Sequence, residues 1–209
     1  MSGISLKAQN IIPLSLLVTI QLMTVYCIGY QGFDFSHLDF LQETSGVMVG
    51  VGVLAALLSY LLPAELKNSL VFMRWKNVLP GHRFIQLSEN DARIESDRLM
   101  ARVPNYDELR SDHTAQNSYW YREFYRPNID KSEVASAHKS FLLYRDAAAV
   151  STLLAVIFVV AKFVLTTKLS GVEIHSAWVF ILAGLGFILA GHNAGHRLVT
   201  SAVAIELCK

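Results

Sequence analysis

The sequence predicts an all-α membrane protein: a four-helix transmembrane bundle with a helical cytosolic insert between the second and third spans. Four apolar runs each reach the length of about 20 residues that a helix needs to cross the bilayer core. Hydrophobic residues make up 53% of the 209-residue chain. The runs lie in pairs at the two ends of the sequence, and a charged, arginine-rich segment separates the pairs. A soluble protein with buried helices is the alternative interpretation.

The predicted domains follow these runs. Residues 8–64 contain the first two spans and a short external loop, and residues 147–196 contain the third and fourth spans. Residues 65–146 form a cytosolic helical domain, and residues 197–209 form a cytosolic amphipathic tail. The first run is longer than the core of a signal peptide and lacks an Ala-x-Ala exit, so we expect it to be a retained anchor.

The distribution of basic residues predicts the orientation. Residues 65–146 hold 13 of the 18 lysines and arginines, whereas the loop between the first two spans holds none. Because cytosolic loops carry the excess of these residues, we predict a multi-pass protein of the cell inner membrane with both termini and residues 65–146 in the cytosol. The formal net charge of +1 gives no reason to expect direct nucleic-acid binding. Nothing in the sequence predicts a cofactor.

Small residues spaced along the second and fourth spans predict close helix packing. In lipid, such residues let helix backbones approach each other. The predicted packing residues are Gly46, Gly50, Gly52, Ala56, Gly186 and Ala190. The pattern suits both packing within one chain and assembly of a homo-oligomer in the bilayer.

A basic stretch with a tryptophan follows the second span. Its residues Arg74, Trp75 and Lys76 are followed, after a Pro-Gly turn, by His82 and Arg83. This composition suits contact with anionic lipid headgroups at the membrane interface. A positive-inside stop signal explains the same charges.

Two helices are expected within the insert. The first has Ser88 as its N-cap and extends to about Arg102. The second begins at Ser132, has Glu133 in its first turn and continues into the third span without a break. Such a continuous helix is able to transmit movement from the cytosol into the membrane.

The most unusual local composition is the aromatic, arginine-containing stretch of residues 116–127. Its candidate partner- or ligand-binding residues are Trp120, Tyr121, Arg122, Tyr125 and Arg126. Aromatic rings beside guanidinium groups suit stacking on a base with a phosphate held nearby. They also suit the bilayer interface. Packing between helices is the third interpretation, and the sequence leaves all three open.

The fourth span ends with two histidines four residues apart, His192 and His196, which share one helical face. A zinc site needs further ligands, and the stretch lacks the glutamate of a metalloprotease helix. We therefore predict no metal site and favour polar anchoring or hydrogen bonding at the interface for this pair, with a metal-ligand role for His192 and His196 as the weaker alternative.

Three segments carry a resemblance to a known group of proteins: Trp-Lys-Asn-Val-Leu-Pro-Gly-His-Arg at 75–83, Gln-Asn and Trp-Tyr-Arg within 116–122, and Phe-Leu-Leu-Tyr-Arg-Asp at 141–146. Together with the order of two spans, insert and two spans, they resemble small four-pass bacterial membrane proteins. The layout is similar to the membrane subunits of antiphage defence systems, such as the Kiwa type. The resemblance covers the whole chain and implies no catalytic residue.

The sequence therefore favours a membrane-anchored signalling or defence subunit. Its insert is expected to contact a soluble cytosolic protein or a ligand, and its helices to oligomerise or perturb the membrane. A small oligomeric channel or transporter is one alternative, and it requires Gln21, Thr24 or Ser59 to face a shared aqueous path. A lipid-modifying membrane enzyme is the other. The residues it would use are His82, Arg83, His113, His138 and Asp146, which have no catalytic spacing.

Overall fold

The computed structural model describes residues 6–29, 45–166 and 172–209, and this part of the chain is helical. The helices are α1 (Leu6–Gln9), α2 (Ile11–Gly29), α3 (Ser45–Leu61), α4 (Ala64–Phe72), α5 (Phe84–Glu89), α6 (Ser96–Arg102), α7 (Tyr106–Ser111), α8 (His113–Trp120), α9 (Ser132–Val164) and α10 (Trp178–Leu207). A π-helical turn, Tyr121–Tyr125, follows α8. The predicted external loop after the first span lies outside the described residues.

Within the described ranges, three helical stretches are long and apolar enough to cross a membrane. They are Leu6–Gly29 with 24 residues, Ser132–Val164 with 33 and Ile174–Leu207 with 34. These stretches agree with the first, third and fourth predicted spans and indicate a membrane protein. The second predicted span corresponds to α3, which has 17 residues and lies just before Pro63. A complete set of four spans therefore stays a prediction.

The chain divides into two compact units, and the first consists of residues 1–67 and 143–188. Its core is built from apolar side chains of α2, α3, α9 and α10. They are Leu14, Val18, Val25, Ala55, Leu58, Ala147, Val150, Leu154 and Phe180. Two hydroxyl groups on α2 are satisfied locally, since Thr19 and Thr24 each donate a hydrogen bond to the carbonyl four residues earlier. This local bonding lets an apolar helix carry hydroxyl groups without an external partner.

The second unit consists of residues 68–142 and 189–209. Its fully buried side chains come from the short helices, from the beginning of α9 and from the end of α10. The largest apolar ones are Val71, Phe84, Ile85, Leu99, Phe124, Val134, Val199 and Val203. The predicted tail at 197–209 is part of this core, because α10 continues to Leu207 and buries Val199 and Val203.

The helix expected from Ser88 to Arg102 is interrupted. Helix α5 ends at Glu89 and α6 begins at Ser96. In the intervening turn, Asp91 Oδ1 accepts a hydrogen bond of 3.0 Å from the backbone nitrogen of Arg93. An aspartate that bonds the backbone two residues ahead favours a turn over a helix. The start of α9 at Ser132 agrees with the sequence prediction.

Gly195 on α10 provides a test of packing in the second unit. A Cβ atom there would lie 2.6 Å from Phe72 Cζ and 3.3 Å from two carbons of the Phe141 ring. We expect Gly195→Ala to lower the free energy of unfolding by about 1–3 kcal/mol, because overpacking forces neighbouring rings to move. Thermal unfolding of the purified chain in detergent measures the change.

Gly186→Ala is the matched control on the same helix, since among the described residues nothing beyond the backbone of α10 lies within 4 Å of the Cβ position at Gly186. Both substitutions remove a helical glycine, and this alone stabilises a helix by up to about 1 kcal/mol. Equal melting temperatures for the two variants would contradict the packing described at Gly195.

Candidate functional site

The aromatic stretch has a buried side and an exposed side. Trp120 and Tyr125 are buried and their rings stack at 5.3 Å. Trp120 Nε1 donates a hydrogen bond of 3.3 Å to the carbonyl oxygen of Val199 on α10. Tyr125 Oη lies 2.8 Å from Nδ1 of His138 on α9, and burial raises the pKa of Tyr125. These two residues therefore hold the stretch within the second unit.

Tyr121, Arg122 and Arg126 form the exposed side, which we call the exposed face. Tyr121 is 47% exposed. The guanidinium of Arg126 lies 5.9 Å from the Tyr121 ring centroid, within the range of a cation–π contact. Arg122 Nε donates a hydrogen bond of 2.6 Å to Glu123 Oε1, and this ion pair is accessible to solvent. Of the five predicted binding residues, these three are available to a partner of the folded chain.

The basic stretch after the second predicted span begins where α4 ends. Met73 has a left-handed backbone, with φ at 51°, and the chain leaves the helix there. Trp75 is 87% exposed. Burial lowers the pKa of His82, whose Nδ1 atom lies 3.1 Å from the backbone nitrogen of Leu79. Trp75 thus projects from the second unit, whereas His82 is partly enclosed in it.

The predicted histidine pair lies beside an aromatic ring. The ring centroids of His192 and His196 are 4.2 Å apart, and the Phe72 ring lies 5.4 Å and 6.2 Å from them. Among the described residues, no group of three histidine, cysteine, aspartate or glutamate side chains is arranged to hold a metal ion. The geometry gives this pair a packing role against α4.

Two of the predicted packing glycines, Gly50 and Gly186, are open. Apart from the backbone of its own helix, no atom of a described residue lies within 4 Å of either Cβ position. Ala56 and Ala190 are half-buried. The surroundings of Gly46 and Gly52 lie outside the described residues. The close approaches occur instead at glycines that the spacing rule did not select, such as Gly81, whose Cβ position lies 2.6 Å from Trp120 Cε3.

A buried charge cluster in the first unit was missed by the sequence analysis. Lys67 is 2% exposed, and its Nζ donates to Asp146 Oδ1 and to Ser59 Oγ, both at 3.1 Å. Arg145 donates to the same Asp146 oxygen through Nε at 3.1 Å and Nη2 at 3.0 Å. Burial lowers the pKa of Lys67, and the attraction to Asp146 opposes that shift.

The cluster lies next to a cavity of about 20 Å³ that is lined by residues including Asn10, Ser59 and Asp146. A cavity of this size is large enough for one water molecule. Two buried cations share one carboxylate, so the cluster depends on Asp146. The sequence shows Arg145 and Asp146 just before an apolar run. The third residue of the cluster, Lys67 in α4, is 79 positions away from Asp146, so no local pattern connects them.

Comparison with protein-family models, curated proteins and solved structures finds no match to this chain.

Removal of the shared carboxylate is expected to be more damaging than removal of one cation. Asp146→Asn removes the carboxylate that Lys67 and Arg145 share, and we expect a loss of about 3–5 kcal/mol in the free energy of unfolding. Lys67→Met leaves the Arg145–Asp146 pair in place, so its effect is expected to be smaller. Chemical denaturation of the detergent-solubilised chain measures the free energy of unfolding of both variants.

Glu95→Gln is the matched control because it removes a carboxylate from the exposed ion pair with Arg98. Exposed pairs contribute about 0–1 kcal/mol, so this variant should remain close to the unmodified protein. A smaller loss for Asp146→Asn than for Lys67→Met would show that Asp146 is not the centre of the cluster.

Proposed function

We propose that the chain is a multi-pass protein of a bacterial inner membrane that acts as a membrane-anchored signalling or defence subunit. Its insert contacts a soluble cytosolic partner, and its membrane helices assemble with other copies of the chain. The antiphage-defence assignment rests on the resemblance of the layout to Kiwa-type membrane subunits. The partner-binding role has separate support from the side chains described above.

The observation that carries the proposal is the division of the aromatic stretch into two sides. Trp120 and Tyr125 are engaged with α10 and α9, whereas Tyr121, Arg122 and Arg126 remain accessible. Tyrosine and arginine are enriched among the residues that dominate binding energy at protein interfaces. Because Trp120 and Tyr125 hold the backbone of the stretch in place, the exposed face loses less conformational entropy when a partner binds. A soluble protein with an acidic surface suits the exposed face.

Charge and aromatic placement support the proposed topology. Three apolar helices are long enough to cross the bilayer, and we propose that α3 also crosses it as the second span, which completes a four-helix bundle. Most lysines and arginines fall in residues 65–146, as expected for a cytosolic segment. The exposed Trp75 between Arg74 and Lys76 suits the headgroup region on that side.

Open small-residue faces support self-association. Within the part of the chain that the structure describes, no side chain lies within 4 Å of the Cβ positions at Gly50 and Gly186. Leu182, one turn before Gly186 on α10, is exposed. Small residues on a lipid-facing helix allow a second helix to pack closely. We therefore propose a homo-oligomer with these positions in its contacts.

The polar residues of the membrane helices favour this proposal over a channel. Gln21 Nε2 and Thr24 Oγ1 each donate to a carbonyl of their own helix, and Ser59 Oγ accepts from Lys67. Each of these groups is thus used in local bonding. For the enzyme alternative, Asp146 is engaged with two cations and His138 with Tyr125.

Reversal of charge on the exposed face tests the partner proposal. A photo-crosslinker at Tyr121 in native membranes should give one dominant adduct with a soluble protein, and Arg122→Glu should reduce its yield at least tenfold, because the new carboxylate repels an acidic surface. Arg98→Glu is the control, since Arg98 is also an exposed arginine in an ion pair and lies outside residues 116–127 of the sequence. Equal yields from both variants would refute the role of the exposed face.

Cysteine labelling tests the topology. With Cys27 and Cys208 replaced by serine, a cysteine at Arg110 should react with a membrane-impermeant maleimide only after the inner membrane is opened. A cysteine at His37, in the predicted external loop, should react in intact spheroplasts. Labelling of position 110 in intact spheroplasts would overturn the proposed orientation.

A further inference from the structure

The second unit contains a polar cavity that the exposed face does not include. Its volume is about 400 Å³, within the range of about 300–1,000 Å³ that small-molecule sites occupy. It lies between the turn that follows α5 and one face of α10. Its polar lining comprises Asn90, Asp91, Arg93, His196, Arg197 and Thr200.

One guanidinium in this cavity is held in a fixed position. Arg93 Nε and Nη2 donate to the two carboxylate oxygens of Asp91 at 3.0 Å and 2.8 Å. Arg93 Nη2 also donates to Thr200 Oγ1 at 3.0 Å. These bonds hold the pKa of Asp91 well below its usual range, so the carboxylate stays ionised and keeps Arg93 oriented. They use Nε and Nη2, which leaves Nη1 for another acceptor.

The second guanidinium of the cavity is not compensated. Arg197 is exposed and forms no ion pair with any residue in the described part of the chain. Within the lining, Arg93 and Arg197 carry two positive charges and Asp91 carries one negative charge. Glu133 is not part of the lining, although its carboxylate also attracts Arg93. The lining therefore has an excess of positive charge, which favours an anionic ligand over a metal cation.

Two arginines suit one kind of anion in particular. The planar guanidinium presents paired donors that match the oxygens of a phosphate group. We propose that this cavity binds a phosphate group, with Arg197 as the main contact and Arg93 as a preorganised second donor. The phosphate belongs either to a lipid headgroup or to a small soluble phosphate compound. The lipid source rests on the membrane location proposed above, whereas the soluble source does not.

The test uses the full chain in nanodiscs of phosphatidylcholine. In one arm, inorganic phosphate and adenosine monophosphate are titrated by isothermal calorimetry. In the other arm, nanodiscs that contain equal parts of phosphatidylcholine and phosphatidic acid are compared with phosphatidylcholine alone, and lipid retained by the released protein is counted by native mass spectrometry. Saturable binding in the first arm identifies a soluble ligand, and selective retention in the second arm identifies a headgroup.

Arg197→Ala should weaken binding about tenfold or more in whichever arm is positive, since a hydrogen bond to a charged group is lost. Arg197→Lys keeps the positive charge and loses the paired donors of the guanidinium, so we expect a smaller loss of affinity than for Arg197→Ala. Arg98→Ala is the matched control and should bind as the unmodified chain does. Unchanged melting temperatures show that each variant is folded, which is expected because Arg197 has no described partner.

Absence of binding in both arms would overturn the phosphate site. Equal loss in Arg197→Ala and Arg98→Ala would overturn it as well, because the effect would then reflect overall charge. Neither result bears on the exposed face, whose test depends on crosslinking at Tyr121. Failure of the phosphate site and failure of the partner proposal are therefore separate outcomes.

Discussion

The buried contact between Lys67 and Asp146 is the constraint on which the arrangement of the first unit depends. The chain leaves this unit after Lys67 and re-enters it at Leu143. A 3.1 Å contact thus joins residues that are 79 positions apart, so it closes the long segment between them. Such closure has an entropic cost that grows slowly with length. Burial of the charges adds a desolvation cost, which the hydrogen bonds from Lys67 to Ser59 and from Arg145 to Asp146 offset in part.

The coarse architecture was predictable because it depends on features that are local in the sequence. Apolar runs of sufficient length identify the candidate spans whatever else the chain does. The start of α9 was also predictable, because Ser132 and Glu133 are favourable residues at a helix beginning. The interruption between Glu89 and Ser96 was not predicted, since a helix pattern and an aspartate-centred turn compete over the same residues and the turn prevailed.

The functional features were harder to predict because they depend on tertiary contacts. Composition identified the stretch around Trp120, but only the hydrogen bonds to α9 and α10 separate its buried residues from its exposed ones. The polar cavity combines a turn near Arg93 with the face of α10 that bears Arg197, more than 100 positions later. No local pattern connects such distant residues. The glycine spacing likewise identified open positions, whereas Gly195 is restricted by rings from two other helices.

The different surroundings of the tryptophans have a spectroscopic consequence. Trp120 is enclosed by protein, whereas Trp75 and Trp178 are largely accessible in the isolated chain. Indole fluorescence shifts to shorter wavelength in an apolar environment. The emission wavelength of each tryptophan therefore reports the polarity of its surroundings. Transfer from detergent to lipid should shift the emission wavelength of Trp75 and Trp178 and leave that of Trp120 nearly constant. Trp75→Phe and Trp178→Phe would separate the two changing signals without an added dye and would leave Trp120 in place.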